Sequence, residues 1–158
     1  MGKLADIAPT LEASYAEIDL ELDTLPSEES LRTTANSKNR FEKSRARMLL
    51  SQIESGQPLE QTYPYPVGVW KLGDDVRFVI LGGEVVVDYA LQLKDALDGN
   101  VWVAGYANDV MAYIPSRRVL REGGYEGASS MVYYGLPTIW APTIENAIVD
   151  EVGRQIGE

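Results

Sequence analysis

The sequence predicts an α/β fold, a mixed sheet flanked by helices, on three observations. Residues 16–25 (AEIDLELDTL) alternate apolar and acidic side chains. Residues 67–81 hold two apolar runs about a Gly-Asp-Asp turn. Beyond them, strand-like runs alternate with helix-spaced ones, the pattern of α/β domains.

In the first stretch Ile18, Leu20 and Leu22 alternate with Asp19, Glu21 and Asp23. A period of two marks a strand with one wet, acidic face, and Pro26 stops it. Ser27 before Glu28, Glu29 and Ser30 is a helix start. A helix is clearest over 39–54, with Phe41, Met48, Leu49 and Ile53 as its apolar stripe, and Gly56 and Pro58 end it. QTYPYP (61–66) reads as a connector with two prolines and sets a soft boundary. It divides a peripheral strand-plus-helix part, 1–63, from a more regular part, 64–158.

In that second part 67–72 and 76–81 form a hairpin about Gly73-Asp74-Asp75. Gly82-Gly83 leads into Glu84, which precedes a helix over 85–97 spaced through Val86, Tyr89, Leu93 and Leu97 and closed by Gly99. VWVAGY (101–106) reads as a buried strand. Residues 107–135 are polar and glycine-rich, with one short helical candidate at 116–121. A final helix covers 142–156, with Pro142 near its first turn. Ligand sites in open α/β sheets form beyond the carboxyl ends of strands. That rule brings Glu84 and Asn108, at two such ends, to one crevice.

The 158 residues suffice for one domain with a real core. A net charge of −10 argues against nucleic acid as a partner. The basic stretch 36–47 (Lys38, Arg40, Lys43, Arg45, Arg47) reads as a solvated helix face. No apolar run approaches the ~20 residues of a membrane span. Residues 1–6 lack the apolar run of a signal peptide, so an export signal would lie outside these residues. There is no cysteine, hence no disulfide and no thiol nucleophile, and no histidine. Histidine is the usual general base and the commonest zinc ligand. A self-contained zinc hydrolase or Ser-His-Asp hydrolase is thereby excluded for this chain.

The candidate site residues each admit a plain reading beside a functional one. Glu84 is a carboxylate in the first turn of a helix, stabilised by the helix dipole, or a metal ligand or general base. Asn108-Asp109 is a turn or the rim of a pocket. Tyr113 is a half-buried strand residue or a donor to a ligand. Arg117, Arg118 and Arg121 form a solvated helix face, or pair with acidic neighbours or bind an anion. Gly123-Gly124-Tyr125-Glu126-Gly127 surrounds a large aromatic with glycines, a loop type that brings backbone close to a ligand. Ser129 and Ser130 follow it, without a histidine to activate either.

Taken together, GGEVVVDYALQLK, VAGYANDVMAYIPSRRVLREGGYEGAS and MVYYGLP resemble the neutral/alkaline non-lysosomal ceramidase family, most closely its shorter bacterial members. The resemblance covers residues 64–140 well and the earlier part weakly, and rests on the order of the pieces and the spacing of Tyr113 and Tyr125. It implies a zinc-dependent amidohydrolase of sphingolipid metabolism that cleaves the N-acyl bond of ceramide. It implies Glu84 and Tyr113 as metal ligands and Tyr125 as the catalytic tyrosine beside the reacting carbonyl, with Gly82, Gly83, Asn108 and Gly124 shaping the pocket. The family's other zinc ligands are two histidines from an earlier part of its chain. This sequence would then be the C-terminal part of a larger catalytic domain, with half of the metal site, binding no zinc by itself.

There are departures. Val110 and Met111 stand where longer members carry an aromatic, and the extra β-sandwich domain of those members does not follow. A smaller N-acyl amide therefore stands beside ceramide as the substrate. A non-catalytic ligand- or partner-binding domain of the same ancestry, or a purely structural half, are the other readings. Bare sheet edges and apolar surface predict that the chain self-associates.

Overall fold

The computed structural model describes residues 8–97 and 100–157. Four strands form the main sheet in the order β1-β2-β3-β5: β1 (Leu11–Glu21), β2 (Thr62–Leu72), β3 (Val76–Leu81) and β5 (Asn100–Ala104). The β1–β2 and β2–β3 pairs are antiparallel and β3–β5 is parallel, so the sheet is mixed. A two-stranded parallel ribbon, β4 (Glu84–Val85) with β6 (Tyr113–Ile114), lies beyond it.

Helix α3 (Val87–Ala96) crosses from the ribbon back to β5, and α6 (Ile144–Ile156) packs on β1, β2 and α3. The core forms where Leu20, Tyr65, Val67, Val69, Val79 and Leu81 of the sheet meet Tyr89 and Leu93 of α3 and Ile144, Ile148 and Val152 of α6. Period-two alternation puts these strand residues on one face and their neighbours on the other. Gln155 donates to the Val67 carbonyl at 3.1 Å and Lys71 to that of Ile156 at 2.6 Å, fastening the end of α6 to β2.

Helices α1 (Glu28–Thr34) and α2 (Arg40–Glu54) pair around a small cluster of their own: Leu31, Ala46, Leu49 and Leu50. Ser27 caps α1 by accepting from Ser30 N at 3.2 Å, and Asn39 caps α2 by accepting from Phe41 N at 2.9 Å. Gly56, at φ 83°, ends α2. The expected stripe on α2 is only partly right. Leu49 is buried, but Phe41 and Met48 are exposed on another flank, where Phe41 meets the Tyr133 ring edge-on at 4.7 Å. Tyr133 belongs to the short α5 (Met131–Tyr134).

Several other expectations need correction. The first strand begins at Leu11, five residues before the acidic alternation, because its partner β2 also runs longer than expected. QTYPYP is no connector: Thr62 onward is the first half of β2, paired to β1 from Glu21↔Thr62. Strand β3 pairs with β2 only from Val67, so Pro64 and Pro66 have an unpaired side where a missing N–H costs no ladder bond. The strand at 100–104 is an edge strand rather than a buried one, with Trp102 exposed. Glu84 lies in β4, three residues before α3, so the helix dipole does not account for it. Gly99 lies outside the described residues.

Candidate functional site

The site is built by two corners that hold each other. After β3 the chain turns at Gly82-Gly83; after β5 it turns through 105–109. Gly83 N donates to the Asp109 carbonyl at 2.8 Å, and Tyr106 N donates to the Gly83 carbonyl at 2.7 Å. Glu84 N and Val86 N donate to the carbonyls of Ala112 and Ile114 at 2.9 and 3.2 Å. These bonds make the β4–β6 ribbon, in which Glu84 stands in register with Tyr113. Partners in neighbouring strands lie about 4.8 Å apart with side chains on one face, so the carboxylate and the phenol share one side.

Gly83 is required at this corner. Its φ of +66° is left-handed, and a Cβ would lie 2.7 Å from both the Ala112 oxygen and Ile114 Cγ1. Gly82 is packed as closely, with Pro66 Cγ 2.8 Å from where its Cβ would be, and its carbonyl accepts from the buried Tyr65 hydroxyl at 2.9 Å. Trp140 fixes the other strand: it is buried, and its indole N–H donates to the Tyr113 carbonyl at 2.8 Å.

Tyr125 arrives from a third direction. Gly123 and Gly124, both left-handed at φ 70° and 72°, turn the chain out of α4 (Arg117–Glu122) into a π-helical turn, Tyr125–Ser129. Single π turns occur often at functional sites. The Tyr125 ring stands edge-on to Tyr113 with centroids 5.6 Å apart, and 6.2 Å from Tyr133. Glu84, Tyr113 and Tyr125 therefore converge on one surface. Glu84 and Tyr113 also line a shallow open pocket of about 290 Å³ with Asp88, Arg118 and Glu126.

A fourth residue belongs here that the sequence reading passed over. Tyr106 lies beside the Glu84 carboxylate, as Tyr113 does. That carboxylate favours the neutral phenol and, more than partial desolvation, pushes each from 10.0 up to about 12. Tyr106 holds φ 57°, an outlier for a bulky side chain. In the sequence it reads only as the last residue of the strand-like run 101–106. Tyr134 is raised too, by burial first and then by the Glu84 charge.

Asn108, at φ 65°, sits in the same corner, but it lines a hollow on the sheet face with Tyr15, Trp70 and Ile80 rather than the Glu84 pocket. Asp109 accepts from the Tyr63 hydroxyl at 2.6 Å. Two of the arginines find partners within the chain. Arg118 pairs with Asp88 at 2.9 Å and Glu122 at 2.8 Å, which lowers the Asp88 carboxyl, and Arg117 donates to Asn146 at 3.1 Å. Ser130 is buried, and its hydroxyl has no partner among the described residues. No group of three or more acidic, histidine or cysteine side chains suited to a metal occurs among the described residues.

No protein-family model and no curated protein matches the sequence. Among solved structures, a ceramidase complexed with C2 superposes on 95% of this chain with 13% identity and a TM-score of 0.48. The chain spans 31% of that protein's length. At that level of likeness no residue role passes from one protein to the other.

Proposed function

We propose that this chain carries one wall of a zinc-dependent amidohydrolase site of the ceramidase type, acting on a lipid-like N-acyl amide. The observation that carries the reading is the register of Glu84 with Tyr113 beneath the ring of Tyr125. The motif resemblance assigns the same three residues.

The donor set fits two corners of a tetrahedral zinc site, one carboxylate and one phenol, and the remaining ligands are proposed to be imidazoles from outside these residues. When bound, zinc supplies Lewis-acid activation of water and of the amide carbonyl. The chain's own residues do the rest. Tyr106, beside the Glu84 carboxylate, is placed to orient it, as outer partners of metal ligands do. Tyr113 is neutral at pH 7 and must give up its phenolic proton to ligate an ion, so affinity rises with pH. Tyr125 is exposed and free to donate to the carbonyl oxygen as negative charge develops there.

Alone, this chain is expected to bind zinc negligibly in titration calorimetry, since two oxygen donors leave the site half filled. The decisive assay uses the longest natural polypeptide that carries these residues, with ceramide and with a short N-acyl amine. Hydrolysis is expected to require zinc and to be abolished in Glu84→Gln. In Tyr125→Phe, kcat is expected to fall about 10²–10³-fold, the cost of one oxyanion donor, with little change in KM. Full activity in Glu84→Gln would end the proposal.

A further inference from the structure

One face of the main sheet packs on α3 and α6. No described helix covers the other, and the loop through Asn108 and Met111 lies only against its Pro66–Gly68 end. Across that open face, in register, lie Ala13, Trp70, Phe78 and Trp102, one from each strand. The flanking rows are Tyr15, Gly68, Ile80, Ala104 and Leu11, Leu72, Val76, Asn100. None of these positions carries a charge, although 24% of the chain's residues do. Trp70 stacks on Phe78 with centroids 6.3 Å apart. Further along β1, Glu17, Asp19 and Glu21 occupy the same face, so its apolar part ends sharply at Tyr15.

We infer that this face is the interface of a homodimer in which two copies pack sheet on sheet. Area is the first argument. Leu11 is 65% exposed, Tyr15 57%, Trp70 46% and Trp102 58%. At about 150–250 Å² for a whole large side chain, these four alone expose roughly 400–500 Å². Phe78, Ile80, Leu72 and Val76 extend the patch toward the ~800 Å² per partner of a standard stable interface.

Shape is the second argument. Gly68 leaves a hollow of about 350 Å³ bounded by Tyr15, Trp70, Ile80 and Asn108, while Trp102 projects from the opposite edge strand. A two-fold axis running along the strands, between the sheets, lays β5 of one copy over β1 and β2 of the other. Each Trp102 then enters the partner's hollow, an isologous contact that closes on itself. The same axis leaves the acidic stretches on opposite edges, in water. Charge speaks against a membrane as occupant, because the chain is at −10 and acids border the patch.

Sedimentation equilibrium of the 158-residue chain tests this over a wide concentration range, beside Trp102→Glu and the milder Trp102→Ser. The expected result is a species of twice 17.4 kDa. Dimerisation should weaken at least 100-fold in Trp102→Glu and measurably in Trp102→Ser, with circular dichroism unchanged. A monomer at every concentration overturns the inference. So does a dimer indifferent to both substitutions, or a monomer that instead binds phosphatidylcholine vesicles through Trp102. None of these outcomes depends on the amidase reading.

Discussion

Replacing Gly83 by alanine asks a Cβ to fit 2.7 Å from two atoms, at a left-handed φ. Backbone strain and overpacking together are expected to cost about 2–4 kcal/mol. Denaturant unfolding checks this, and a cost below about 0.5 kcal/mol, that of an ordinary surface substitution, would mean that the corner yields to the extra carbon. Glu84→Gln makes a second prediction. The Glu84 carboxylate beside Tyr106 and Tyr113 favours their neutral phenols and pushes both up from 10.0 to about 12. Because the folded values lie above the unfolded one, the stability they lend is complete below pH 10. It disappears as the pH climbs from 10 through 12. In Glu84→Gln, tyrosinate absorbance should develop nearer pH 10 and that alkaline loss should shrink. At this scale the strand-end rule pointed to Glu84 and to Asn108, which lines another hollow, while Tyr113 was reached only through the motif resemblance. Tyr106 was not, since a left-handed tyrosine has no sequence signature. Nor was Trp140, whose bond to the Tyr113 carbonyl spans 27 residues.

The elements divide into a sheet with two helices and an outlying helical pair. The pair α1–α2 rests on four buried residues, against the much larger core beneath the sheet. Small local cores open first. Amide hydrogen exchange should therefore be faster in α2 than in β2 or α6, and Asn39→Ala, which removes the α2 cap, should cost about 1 kcal/mol. Equal protection of α2 and β2 would show that the pair is held more firmly than its cluster implies. The hairpin β2–β3 and the helix starts at Ser27 and Asn39 were readable because turn and cap chemistry is local. QTYPYP was misread because proline in a strand is tolerated or forbidden by which side lacks a neighbour, and that is a tertiary fact. Glu84 was put on a helix because Val85 and Val86 continue an apolar spacing that pairing with β6 overrides.

At the scale of the whole molecule, alternation tells which residues share a face, but not which face is covered. VWVAGY looked buried from its composition, yet Val101 turns inward while Trp102 looks out from an edge strand. The fold class was legible; the uncovered face, which decides what the molecule does in company, was not. The placement of the tryptophans gives this architecture an optical consequence. Trp140 is sealed in the core, and Trp70 and Trp102 stand on the open face. Emission from the outer pair should shift to the red on dilution while Trp140 stays dark to added quencher. Denaturant should then move the inner indole in a separate, later step. Assembly and unfolding are thereby reported by different chromophores of one unlabelled chain.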